Sequence, residues 1–538
     1  MPKGQLITDR EKNGLIAIAA IGLLGFAAGL LLNSARLWPG FLLNSFYFLT
    51  LALGAMVFLG IHHVSNAGWS AALKRIPEAM TAYVPVGGAL ILAVFFGRHS
   101  IYPWSHGITQ TTAAMKMKAN FLNSPFFFAR MAVVLAVWCL FVFLLRRESR
   151  LQDVDGSLER TVRSKKYSAM FLAAFAVTFS IASFDWLMSI EPEFYSTIFA
   201  FYCFSGLFVS GIAAVTVIVI VLRRRRLLSQ INQDHLHNLG KLIFGFSTFW
   251  AYIWISQYLL IYYANLPEET GFYLRQTATP AWKTLFLGNL LINWLLPFVL
   301  LISRKAKRSE GTLIAACAFV LIGHWLDLYL TIFPALGASA IGGVVDLALA
   351  AGFAAIFLLV VVRALGRMSL VPKLDPYLEE SLSLRSFEIP QEEGLLADKN
   401  ANRALLLSTV AFAISFAVWG LVGSLAPRFR EMYHLSAVQT SLLIAVPVLL
   451  GSIGRIPMGM LADRFGGRVV FGLLLCFCLI PAIGVSLTGS YVSLIAWAFV
   501  IGMSGTSFSV GVAFASKWFP AKYQGTALGI YGMGNIGQ

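Results

Sequence analysis

A few ionisable residues sit where an apolar sequence should not carry them. Asp185 and Glu191 lie in Phe184-Asp185-Trp186-Leu187-Met188-Ser189-Ile190-Glu191-Pro192, and His324 and Asp327 lie in Gly323-His324-Trp325-Leu326-Asp327. Residues three apart share one face of a helix, so His324 and Asp327 form a candidate pair. A titratable group inside a membrane span is costly and marks a functional site by default. Histidine titrates near neutral pH, and a carboxylate can orient it or relay its proton. The chemistry expected of Asp185, His324 and Asp327 is proton transfer or a quinone site, with Glu191 at the water interface. The plainer reading is a set of buried ion pairs. His62 and His63 end another apolar run and read as interfacial, and Asp346 reads as a lone carboxylate in a further one.

A second group lies towards the C-terminus. Arg455 falls inside an apolar run, where a guanidinium needs an anion or a carboxylate. Its planar fork suits a planar oxyanion. The acidic residues of this region, Glu431 and Asp463, are expected in loops. Gly459-Met460-Leu461-Ala462-Asp463-Arg464-Phe465-Gly466-Gly467-Arg468 follows, and its Asp463, Arg464 and Arg468 could form a charge network between helices. Glycines then crowd the end, with Gly525, Gly529, Gly532, Gly534 and Gly537 around Asn535. Small residues let helices pack closely, and they can also leave amides near a ligand.

The elements that position these residues are membrane helices. The chain has 538 residues, 58% hydrophobic and 12% charged, against about 25% charged in a soluble protein. Apolar runs near 14–32, 41–64, 80–97, 125–145, 167–190, 195–222, 239–263, 282–302, 311–333 and 341–363 predict ten spans. Runs near 404–425, 436–458, 468–488, 491–514 and 523–538 predict five more, the last cut off by the end of the sequence. Each is long enough for a hydrocarbon core of roughly 30 Å. The expected organisation is a ten-helix domain over 1–363, a polar cytoplasmic linker over 364–402 and a truncated helical domain over 403–538. The linker carries Asp375, Glu379, Glu380, Glu388, Glu392, Glu393, Asp398 and three prolines.

A net charge of +16 does not point to nucleic acid, because the basic residues sit in alternate short loops. That alternation predicts a cytoplasmic N-terminus and a multi-pass protein of a bacterial inner membrane, one that moves electrons, protons or ions. The five cysteines lie in apolar runs, and no spacing suggests zinc or an iron–sulfur cluster. The eight histidines form no pairs facing each other across helices. No metal, haem or covalent cofactor is expected.

Residues 10–385 resemble the second polysulfide-reductase-like membrane subunit of alternative complex III, a quinol:cytochrome c oxidoreductase. The resemblance rests on the Asp185 and His324 motifs, on His235-Leu236-His237-Asn238-Leu239-Gly240-Lys241, on Tyr262-Tyr263-Ala264-Asn265-Leu266-Pro267-Glu268-Glu269 and on Asp375-Pro376-Tyr377-Leu378-Glu379-Glu380-Ser381. It implies two four-helix bundles with flanking helices, partner subunits that hold haem and iron–sulfur clusters, and quinone binding or proton conduction. The segment Gly459 to Arg468 resembles the loop signature of the major facilitator superfamily. With Phe514 to Pro520 and Gly529 to Gly537, the C-terminal part looks like the nitrate/nitrite porter branch, which implies an anion site built on Arg455 and the glycines.

The leading expectation is therefore a respiratory membrane subunit fused to part of a nitrate/nitrite transporter. A facilitator needs about twelve helices in two halves, so either a longer fusion or two joined genes is expected. The alternatives are a nitrate/nitrite transporter whose first ten helices are an accessory module, and a membrane scaffold without chemistry.

Overall fold

Helix starts follow local chemistry. Asn123 accepts the Phe126 amide at 3.0 Å, with Pro125 in the first turn, and Asn232 and Thr279 cap two later helices in the same way. A computed structural model describes residues 6–32, 34–106, 118, 120–384 and 399–537. Lys116 and the linker residues Glu388, Pro390, Glu392, Glu393 and Asp398 lie outside the described residues. The chain divides into two compact units, Met1–Ser386 and Phe387–Gln538.

Thirteen helices among the described residues are long and apolar enough to cross a membrane. The expected fifteen spans are corrected by two. Gln233–Ala264 is 32 residues long, but much of its apolar surface comes from amphipathic rings such as Trp250, Tyr252, Trp254, Tyr258, Tyr262 and Tyr263. Ala521–Gly532 is only 12 residues long, because the chain tightens into a 3₁₀ turn at Met533.

The long helices of the first unit are α1 (Asp9–Leu31), α2 (Leu37–Val64), α3 (Arg75–Ile101, in short segments), α4 (Ser124–Asp155), α5 (Leu158–Trp186), α6 (Phe199–Arg224), α7 (Gln233–Ala264), α8 (Pro280–Leu300), α9 (Glu310–Ile332) and α10 (Val344–Leu365), all but α7 being candidate spans. Helix α2 is apolar on every face, and such a helix is buried on every face. It is the hub, with α3, α5, α6 and α10 packed around it.

Two glycine pairs set the closest crossings. A Cβ at Gly54 would stand 2.5 Å from the Leu207 carbonyl, and one at Gly211 would stand 2.7 Å from the Gly54 Cα, so α2 and α6 meet backbone to backbone. Gly22 of α1 and Gly352 of α10 meet in the same way.

The second unit contains α11 (Lys399–Ser424), α12 (Ala437–Ile453), α13 (Arg455–Phe465), α14 (Gly467–Ser486), α15 (Tyr491–Ile501), α16 (Ser507–Trp518) and α17 (Ala521–Gly532). Its apolar side chains form two clusters, one around Phe412, Phe471 and Tyr531 and one around Leu443 and Leu494.

Candidate functional site

Asp327 is the meeting point of four helices in the first unit. It stands on α9, is 3% exposed, and accepts hydrogen bonds from the Tyr202 hydroxyl of α6, from Trp250 Nε1 of α7 at 3.2 Å and from Asn289 Nδ2 of α8 at 2.7 Å. Asn293 Nδ2 donates to Asn289 Oδ1 at 2.7 Å. Just after Asn289, α8 widens into a π turn over Leu291–Leu295 that includes Asn293, a geometry frequent at functional sites. Gly323 makes room, since a Cβ there would stand 2.5 Å from Asn293 Oδ1. Among the described residues no Lys, Arg or His pairs with Asp327, so three neutral donors satisfy this carboxylate.

His324 is 2% exposed, and neither ring nitrogen has a hydrogen-bond partner among the described residues. Its imidazole lies against Gly206, with the Tyr47 ring centroid 5.7 Å away. The expected pairing with Asp327 is corrected: the two residues share a helix turn, but donors from the other helices occupy the carboxylate. Sequence reasoning missed Tyr202, Trp250, Asn289 and Asn293. The two asparagines, four apart in an apolar run, were the signal available.

The other carboxylates form ion pairs. Asp185 is buried and accepts Arg130 Nε at 2.7 Å, with the guanidinium 3.7 Å from the Phe121 ring centroid. Glu191 pairs with Arg275. Burial pushes the Glu191 carboxyl above its usual range, and the Arg275 charge opposes that shift. The expectation that Asp346 is a lone carboxylate is corrected: Arg36 Nε donates to it at 2.8 Å and the Gly343 amide at 2.7 Å.

At one end of α2, His62 and His63 border a small polar pocket with Lys74, Gln152 and Asp375. His63 Nδ1 is 2.9 Å from Ser168 Oγ, and Lys74 pairs with Asp375. Part of the segment expected as a linker is docked here. Ser381 Oγ donates to the Trp69 carbonyl at 2.7 Å and accepts the Ala72 amide at 3.1 Å, and Asn232 donates to the Leu384 carbonyl at 2.6 Å. Burial would raise the Asp375 carboxyl, but the Lys74 charge and hydrogen bonds from Lys74 and the Tyr377 amide hold it below its ordinary value.

In the second unit Arg455 opens α13. It is exposed, its guanidinium is 5.9 Å from the Phe508 ring centroid, and no carboxylate pairs with it among the described residues. The glycine run divides in two. Gly525, Gly529 and Gly532, spaced by four and three, would meet nothing within 4 Å if given a Cβ, so one face of α17 is bare. A Cβ at Gly534 would stand 2.5 Å from Phe412 Cδ1, and one at Gly537 would strike the Ala413 carbonyl, so these two pack on α11. Asn535 is exposed.

The segment Gly459–Arg468 is not an extended loop. Gly459 to Phe465 continue α13, and Gly466 alone turns the chain, at φ +84°, where L side chains are rarely found. Asp463 Oδ1 lies 3.8 Å from Lys517 Nζ, Arg464 lies over the Phe465 ring, and Arg468 borders a cavity of about 430 Å³ with Asn400 and Arg403. The expected network among Asp463, Arg464 and Arg468 is thus replaced by one exposed contact to α16.

Known proteins align with this second part. Residues 407–537 match the Major Facilitator Superfamily. A probable nitrate/nitrite antiporter of Thermus thermophilus is 50% identical over 135 residues, 25% of this chain and 30% of that protein. A probable nitrate/nitrite transporter of Mycobacterium tuberculosis is 38% identical over 136 residues, and a nitrite extrusion protein of Bacillus subtilis is 41% identical over 133. Each match covers 25% of this chain and 34% of the relative. The chain therefore spans about a third of the length of these relatives. It is a multi-pass, all-helical membrane protein with a major facilitator segment at its C-terminal end.

Proposed function

We propose that this protein takes part in nitrate or nitrite transport across the bacterial inner membrane, with the first ten helices as an accessory module. The observation that carries this reading is Arg455, an exposed guanidinium with no carboxylate partner among the described residues. A planar oxyanion fits that fork in two contacts. The bare face of Gly525, Gly529 and Gly532 lets a ligand come close to backbone, and Gly466 is the point where α13 and α14 can pivot. The likeness to nitrate/nitrite transporters supports the choice of anion. The test is uptake of labelled nitrate and export of nitrite by a strain whose own nitrate transporters have been deleted, with and without this gene. Equal fluxes would sink the proposal.

The Asp327 site favours a second reading for the first unit: a membrane subunit of a quinol:cytochrome c oxidoreductase that conducts protons or binds quinol beside haem and iron–sulfur subunits. It rests on the resemblance of residues 10–385 and on four helices converging on one carboxylate. Asp327 would take up and release the proton, and the unpartnered imidazole of His324 is the neighbouring group able to exchange one. Asp185 and Glu191, held by Arg130 and Arg275, would fix the end of α5. Purification under mild detergent tests it: haem-containing partners support the reading, and a chain that purifies alone with no quinol-dependent activity opposes it.

A further inference from the structure

Positive charge gathers where α8 ends. Ser303 caps a short helix, Arg304–Arg308, which packs on the start of α7. Lys307 of that helix is buried. Its stem lies against Gly240 of α7, where a Cβ would stand 3.0 Å from Lys307 Cβ. Its Nζ donates to the Ile302 carbonyl at 3.1 Å and lies 4.6 Å from the Phe244 ring centroid. Burial, and then the nearby charge of Lys241 on α7, hold the Lys307 ammonium below its ordinary value. Burial, followed by the charges of Lys241, Arg308, Arg304 and Lys307, holds the His237 imidazole down as well, and its Nδ1 is buried without a partner. Five cations therefore share one place with little to balance them. Asp234 pairs with Arg308 at 2.6 Å, and among the described residues no carboxylate pairs with Lys241, Arg304, Lys305 or Lys307.

The cluster stands at the head of a membrane-facing surface. Helix α8 is a candidate span, and Leu291, Leu295, Val299 and Ile302 are exposed along it, ending two residues before Arg304. Phe298 of α8 stacks on Phe244 of α7 at 4.9 Å, so the seam between the two helices leads to the Lys307 ammonium. Lys241 and Arg304 are exposed.

We propose that this cluster binds the headgroup of one anionic phospholipid, with the phosphate held by Lys241 and Arg304 and an acyl chain along Leu295, Val299 and Ile302. Crowded like charges repel, and a phosphate offers the counter-charge that the protein withholds. The Arg304 fork suits two phosphate oxygens. A zwitterionic headgroup would bring a further cation to the cluster, so an anionic one is favoured. A soluble anion would meet the charge and leave the apolar row unused.

Native mass spectrometry of the purified full chain, delipidated and then offered phosphatidylglycerol or phosphatidylcholine, tests this. The wild type should retain phosphatidylglycerol at least about tenfold better, since each cation near a headgroup contributes about fivefold. Lys241→Gln combined with Arg304→Gln should lose that preference and fold normally, because both side chains are exposed. Lys283→Gln removes a charge at the opposite end of α8 and should keep the preference. Equal retention of the two lipids by the wild type, an unchanged preference in the double variant, or the same loss in Lys283→Gln would overturn the proposal. So would inorganic phosphate that, offered without lipid, binds the wild type and not the double variant, because the cluster would then serve a soluble anion.

Discussion

His324 and Asp327 stand one turn apart on α9, yet the hydrogen bonds from neighbouring helices all go to Asp327 and none to His324. Removing each should therefore do different things. Asp327→Ala strands the Tyr202, Trp250 and Asn289 donors, at about 1–3 kcal/mol for each buried group left unpaired. His324→Phe removes two nitrogens that are already unpaired and should leave thermal stability close to wild type. Melting temperatures in detergent read both. Equal damage from the two variants would mean that His324 has polar partners this account lacks.

The α2–α6 crossing should tolerate no side chain. Gly54→Ala forces backbone apart at Leu207 and Gly211, whereas Gly245→Ala on α7 meets nothing within 4 Å. The first should lose most folded protein in a fluorescence-detected size-exclusion assay, and the second should match wild type. Comparable yields would show that the two helices can separate without loss.

The glycine run should divide by function as it divides by geometry. Gly534→Ala and Gly537→Ala should lower the yield of folded protein, because each adds atoms against α11. Gly529→Ala and Gly532→Ala should fold normally and reduce anion flux. Normal flux in these last two variants would assign the bare face to packing against further helices.

Docking of the segment around Asp375 should be insensitive to pH across the neutral range. Its carboxyl lies below the ordinary value of about 3.9. A depressed carboxyl contributes stability above the unfolded value and loses it as pH falls through the folded one. Limited proteolysis between residues 366 and 384 should stay slow from neutral pH down to about pH 4 and quicken below it. Asp375→Asn should be cut faster than wild type at neutral pH and should lose the acid-dependent step. A rise in cleavage near pH 6 would point to a histidine instead.

Most of the helices were legible because apolar runs of membrane length are local patterns. The carboxylates Asp185, Asp327 and Asp346 were legible as exceptions within those runs, but their partners were not. Arg36 reaches Asp346 across 310 positions, and Tyr202 reaches Asp327 across 125; no spacing rule connects residues so far apart. The i, i+3 rule correctly placed His324 and Asp327 on one turn but carries no information about which neighbours bring donors. The segment Gly459–Arg468 was read as a loop because it is charged, although a single glycine with positive φ is enough to turn the chain there.

The most direct test of the transport reading is Arg455→Lys, measured as uptake of labelled nitrate in a strain without other nitrate transporters. Lysine keeps the charge and loses the two-pronged contact. At equal expression, uptake should fall at least tenfold, the loss of about 1.4 kcal/mol expected when one charge-assisted contact is removed. Near-normal uptake by Arg455→Lys would show that this arginine does not hold the anion and would contradict the account.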